Sequence, residues 1–220
     1  VLSAAGVAPV TLSDASDIGD GFKRCPWPGA VPDYVQYHDL EWGVPITGDV
    51  AFFERLTFEA FQSGLSWLIV MRKRPAFRAA FAGFEPQSVA EFGDADVERL
   101  LTDPGIIRNR TKILATITNA RALRALRDSE GDGALERLML AHAPSEADLR
   151  REGFRRPPRG IGDLPTSVKA SHALAKALKA QGFVFVGPTT LYAGMQANGL
   201  VNDHLSGCFR RGTSSAGIRP

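Results

Sequence analysis

Only two cysteines, four histidines, three tyrosines and three tryptophans occur among 220 residues, and each scarcity excludes something. Two thiols cannot form a disulfide framework; they leave one disulfide, a metal site or two ordinary buried side chains. No run of eighteen apolar residues is present to cross a bilayer, and the first residues lack the basic start and apolar stretch of a secretory signal. The expected location is therefore cytoplasmic, with no membrane partner. Strong charge is also missing: the formal net charge is +2. Residues 1–20 hold Asp14, Asp17 and Asp20 and no Lys or Arg, so removing those three negative charges leaves +5 on the remainder. That mild excess suits a polyanion without demanding one.

What is present is an ordinary globular composition, 44% hydrophobic and 23% charged. Apolar residues recur at helical spacing from Val50 onward and strand-like alternation is scarce, so the chain reads as all-α. The spacing predicts helices at about 50–63, 66–72, 75–81, 86–92, 95–101, 110–127, 134–142, 168–180 and 189–198. Asp94 reads as an N-cap, with Gly182 and Gly199 as C-terminal stops. Residues 1–20 read as a flexible acidic tail, 21–212 as one helical domain and 213–220 as a second tail. Segments 128–133 and 152–164 read as loops, the latter broken by Pro157 and Pro158.

Three local patterns carry chemistry. Cys25 is followed by His38 after twelve residues, and His204 lies four before Cys208. Two Cys and two His are a structural zinc set, although spacing alone leaves ordinary buried thiols equally open, and a disulfide would explain neither histidine. Next, Asp103-Pro104-Gly105 turns one helix into another, with Gly105 expected to allow backbone angles denied to a side chain. Arg108, Arg110 and Lys112 beside it could hold phosphates, although a plain helix connection reads as easily. Finally, Glu59 shares a helix face with Phe52, Leu56 and Ser63 and so points inward, where a carboxylate is costly unless paired or lining a cavity. Trp67 follows it closely, and Trp27, Tyr34 and Tyr37 crowd the Cys25–His38 segment, which favours a pocket for a flat ligand. Trp42 reads as packing.

Five segments in order carry a resemblance: Cys25-Pro26-Trp27; Tyr37-His38-Asp39-Leu40-Glu41-Trp42-Gly43-Val44-Pro45; Glu59-Ala60-Phe61-Gln62-Ser63-Gly64-Leu65-Ser66-Trp67; Gly105-Ile106-Ile107-Arg108-Asn109-Arg110 with Lys112; and Met195-Gln196-Ala197 with Gly199 through Cys208. Together they are similar to the 3-methyladenine DNA glycosylase I family over about 24–208. The resemblance implies a helix-hairpin-helix DNA glycosylase-like fold, with the hairpin at about 95–127. It also implies a structural zinc held by Cys25, His38, His204 and Cys208, joining segments 25–38 and 204–208. By the same resemblance Glu59 hydrogen-bonds a flipped base, Tyr37 and Trp67 stack on it, Trp27 and Tyr34 complete the wall, and Leu65 fills the gap in the duplex. Gly105, Ile107, Arg108, Arg110 and Lys112 would bind double-stranded alkylated DNA. Pro26 and Asn198 depart from the family pattern.

The implied activity is hydrolytic excision of 3-methyladenine by a monomer. It is monofunctional, because neither the aspartate nor the lysine motif of lyase relatives follows Lys112. A zinc deaminase is disfavoured by the lack of Pro-Cys-x-x-Cys and His-x-Glu. Two rivals remain: a zinc-stabilised helical module that binds damaged DNA without catalysis, and a scaffold for a small-molecule pocket.

Overall fold

The computed structural model describes residues 15–212; residues 1–14 and 213–220, and with them most of the expected N-terminal tail and the whole C-terminal one, lie outside the described residues. Ten α-helices are present among these: α1 (Pro32–Leu40), α2 (Asp49–Gln62), α3 (Trp67–Ala80), α4 (Pro86–Ala90), α5 (Asp94–Thr102), α6 (Arg110–Glu130), α7 (Ala134–Ala141), α8 (Glu146–Arg151), α9 (Lys169–Ala180) and α10 (Pro188–Ala197). Two-residue strands β1 (Ser16–Asp17) and β2 (Lys23–Arg24) pair antiparallel, so the boundary expected at 20/21 falls inside a small hairpin. The architecture is mostly helical, and no helix among the described residues is long and apolar enough to cross a membrane.

Helix α2 is the axis of the molecule. It packs against α3, α6, α7 and α10, and Phe52, Phe53, Leu56, Phe58, Ala60 and Phe61 are all buried. Its apolar surface is therefore not a stripe: Glu59 is buried because nearly the whole helix is, while Ser63 at its end is exposed. Stacked and edge-on rings of Phe58, Phe61, Phe77, Phe81 and Phe84 fill the space between α2 and α3.

Expected helices 66–72 and 75–81 are one helix. Pro75 lies inside α3, where it removes an N–H and leaves the carbonyl four residues back without its usual donor; Arg74 Nε reaches that Met71 carbonyl at 3.4 Å. Glu130 ends α6, so only 131–133 of the expected 128–133 loop is free of helix. Gly93 is the N-cap of α5 and Asp94 its first residue, with the Asp96 carboxylate accepting from the Gly93 amide at 3.1 Å. Gly182 and Gly199 do end helices in the left-handed region. Helices α1 and α8 have no counterpart in the periodicity.

Candidate active site and metal centre

Turns at the ends of α1 and α2 bring the rare aromatics together. Trp27, Tyr34, Tyr37, Trp42 and Trp67 surround a cavity of about 200 Å³, with Glu59 and Gln62 from α2, Leu164, and Ala193, Gln196 and Ala197 from α10. All three tryptophans and two of three tyrosines are here, while none of the 13 phenylalanines lines it. The scale is that of a single ring system, below the roughly 300–1,000 Å³ of drug-sized sites. Tyr37 and Trp67 meet at 5.4 Å and 46°, whereas two rings sandwiching a third stand about 7 Å apart, twice the base-stacking rise. They form a corner, not a slot.

Glu59 is 5% exposed and has no hydrogen bond or ion pair among the described residues. The arginine one turn earlier, Arg55, is directed instead to Glu41, which also receives Arg74. Desolvation lifts the Glu59 carboxyl to about 8, against a smaller downward pull from Arg55. Burial likewise raises the Tyr34 and Tyr37 phenols. The Trp67 indole N–H is buried without a partner, so two residues that line one cavity, Trp67 and Glu59, each carry an unpaired polar group. Two such groups are costly in a packed core and natural in a binding site.

The sequence assigned Trp42 to packing. It does pack, at 4.6 Å from the His204 ring and 5.2 Å from Trp27, but it lines the cavity too. Gln196, unassigned above, donates its amide to Asp203 at 2.7 Å, as does the Tyr192 hydroxyl, while Arg156 binds the other Asp203 oxygen. That buried network fixes a wall residue beside His204.

Cys25, His38, His204 and Cys208 are all buried, with ligand atoms within 4.8 Å of one another. Cys208 Sγ lies 3.4 Å from His38 Nε2 and 3.6 Å from His204 Nδ1, and Cys25 Sγ lies 3.8 Å from His204 Nδ1. Ligands on a tetrahedron of radius about 2.0–2.3 Å stand about 3.3–3.8 Å apart, so the donor set fits a four-coordinate ion. The remaining ring nitrogens are engaged as such sites require: His38 Nδ1 with Asp39 at 2.8 Å, and His204 Nε2 with the Trp42 carbonyl at 3.2 Å. Arg24 holds Asp39 through both carboxylate oxygens.

Around the turn between α5 and α6, Arg108 is exposed and Arg110 is paired with Glu98. Two expectations fail here. Gly105 does not have positive φ; a Cβ would lie 2.9 Å from Ala76 Cβ and from Asp103 Oδ1, so close approach of α3 is the constraint, and its amide is taken by Asp103 at 2.7 Å. Lys112 is buried, and its ammonium donates to the carbonyls of Phe61 at 2.9 Å and Ser63 at 2.6 Å, which removes it from reach of a phosphate. Desolvation holds its pKa below the usual lysine range. Half-buried Ile107 stands beside Arg108, and the amides of these two residues donate to no group among the described residues. Leu65 is 40% exposed on the turn after α2.

A family model described as methyladenine glycosylase matches residues 27–211. The chain is 44% identical over 188 residues to DNA-3-methyladenine glycosylase 1 of Escherichia coli (strain K12), covering 84% of this chain and 95% of that one. This chain belongs to the methyladenine glycosylase family. The Haemophilus influenzae DNA-3-methyladenine glycosylase is 39% identical over 84% of this chain and 96% of its own length. A crystal structure of 3-methyladenine DNA glycosylase I superposes with TM-score 0.75 at 44% identity, covering 84% of this chain and 98% of that one. The Staphylococcus aureus enzyme, in a structure addressing 3-methyladenine recognition, gives 0.75 at 30% identity, with coverage of 86% and 96%.

Proposed function

We propose that this methyladenine glycosylase family member flips 3-methyladenine out of double-stranded alkylated DNA and hydrolyses its bond to deoxyribose, leaving an abasic site. The observation that carries the reading is the lone Glu59 carboxyl in a ring-walled cavity of single-base size. N3-alkylated adenine in DNA is a cation. Aromatic faces attract such a ring by roughly 0.5–2 kcal/mol per contact, and its charge draws the Glu59 proton off, so that the carboxylate accepts from the exocyclic amine. The base packs on one face of the Tyr37–Trp67 corner, with Trp27 and Tyr34 closing the wall.

When the C1′–N9 bond breaks, its electron pair neutralises the base, water adds to C1′ and gives up a proton. A leaving group already charged needs no strong general acid, in keeping with a monofunctional enzyme without lyase chemistry. α5 and α6 serve as a helix-hairpin-helix element whose free amides at Ile107 and Arg108, with the Arg108 and Arg110 side chains, seat the phosphates. Leu65 enters the stack where the base leaves. Cys25, His38, His204 and Cys208 hold a structural Zn²⁺, and four protein ligands leave it no open position. The protein acts as a cytoplasmic monomer.

Incubation with methylated duplex DNA and identification of the freed bases tests the reading. Release of 3-methyladenine by the native protein, reduced about 10–100-fold in Glu59→Gln as a charge-assisted bond is lost, is expected. Tight binding of alkylated duplex with no base released would instead leave a non-catalytic binding module.

A further inference from the structure

Two lysines bind the α2–α3 corner to the hairpin before and into α6: Lys112 ties the start of α6 to the end of α2, and Lys73 ties α3 to the turn before α6. Lys112, in the first turn of α6, reaches across to the end of α2 and donates to the carbonyls of Phe61 and Ser63. Helix α2 has no basic residue in its own last turn, so the cation that its C-terminal carbonyls attract comes from a neighbouring element. Lys73, on α3, reaches back and donates to the carbonyls of Pro104 at 2.9 Å and Gly105 at 3.1 Å. One turn further along α3, Ala76 leaves no room for a Cβ on Gly105. Between these ties sits Ser63-Gly64-Leu65, where Gly64 has φ +81° and the Leu65 amide donates to the Gln62 carbonyl at 2.7 Å.

We propose that Lys112, seconded by Lys73, is a positioning residue: it fixes the Leu65 side chain at a set distance from the phosphate-seating turn, so that one docking event places both on the duplex. This rests on the reading of Leu65 as the residue that enters the stack. Neither lysine touches the base. A cation bonded to two carbonyls in a desolvated site is a strong tether, and a wedge that must displace a stacked base gains from being held before contact.

The test compares Lys112→Met, Lys73→Met and Lys73→Arg with the native protein. In Lys112→Met, hydrogen exchange of the Leu65 amide quickens at least tenfold. Single-turnover excision from methylated duplex falls about 10–100-fold, yet affinity for free 3-methyladenine by equilibrium dialysis stays within about twofold. Lys73 is half-exposed, so Lys73→Met keeps the fold if Lys112→Met does not; it shows a smaller loss of excision that Lys73→Arg restores. Native excision rates in the folded methionine variants overturn the proposal, as does an equal loss of free-base binding, which would make the lysines mere supports of the cavity. A native protein that frees no base takes down the glycosylase reading alone, and the tie then stands or falls on Leu65 exchange.

Discussion

Because burial lifts the Glu59 carboxyl to about 8, the side chain is chiefly a neutral acid at pH 7. The folded chain then binds a proton that the unfolded chain has released, so stability falls as pH rises from about 4.5 to about 8. Glu59→Gln escapes that loss. Its melting temperature relative to the native protein should therefore climb across this window and level off above it, in thermal scans at stepped pH. On the proposed function, activity should move the other way: if capture of a cationic base uses the carboxylate, native excision at limiting substrate should rise with pH towards 8, and the glutamine variant should show no such limb. Glu59 and its aromatic neighbours were legible in the sequence because a carboxyl between apolar residues and a cluster of scarce rings are local patterns. Gln196 was not, since its role depends on Asp203 holding its amide from across a turn. Lys112 was misread, although the signal was available: two residues from Arg110 is about 200° around a helix, so the two cannot share a face.

Among the elements, the long helices followed from their apolar period, and the errors have separate causes. The break expected between 72 and 75 is absent, and Pro75 sits at an exposed position inside the continuous α3. α8 has six residues, too few for a period, yet Ser145 and Asp148 form a reciprocal capping box that a reader of caps could have found. α1 carries tyrosines and His38 of the Cys2His2 cluster where a core stripe would be, since it walls a cavity and a candidate metal site. At the turn before α6, the two arginines should differ. Arg108 is an exposed cation with no partner among the described residues, whereas Arg110 must first leave Glu98. Replacing Arg108 with Ala should weaken duplex binding at all sequences and reduce the slope of log affinity against log salt by about 0.9. Arg110→Ala should lower it less. Binding isotherms between 50 and 200 mM salt, about the range where such slopes are steep, distinguish them.

For the whole molecule, the buried Cys2His2 cluster that could hold a metal joins residues 183 positions apart, Cys25 and Cys208. An ion held by that set would bind the folded chain and not the unfolded one, so its binding free energy would add directly to folding stability. Chelation should therefore lower the melting temperature steeply, and metal analysis should find one Zn²⁺ per chain. Cys208→Ser should reproduce the apo protein and be indifferent to chelator. The metal set was open on spacing alone, because Cys25 and His204 are distant in sequence and only the fold brings them to 3.8 Å.

The segregation of every tryptophan into one cavity gives the protein a built-in optical signal. Trp67 stands at the corner with Tyr37, while Trp27 and Trp42 lie against the rings of His38 and His204. Its ultraviolet emission is thus a readout of the cavity and the adjacent Cys2His2 cluster, undiluted by indoles elsewhere: on the proposed function a captured base should quench it, removal of a bound ion should shift it, and Trp67→Phe should remove much of the first response while sparing the second.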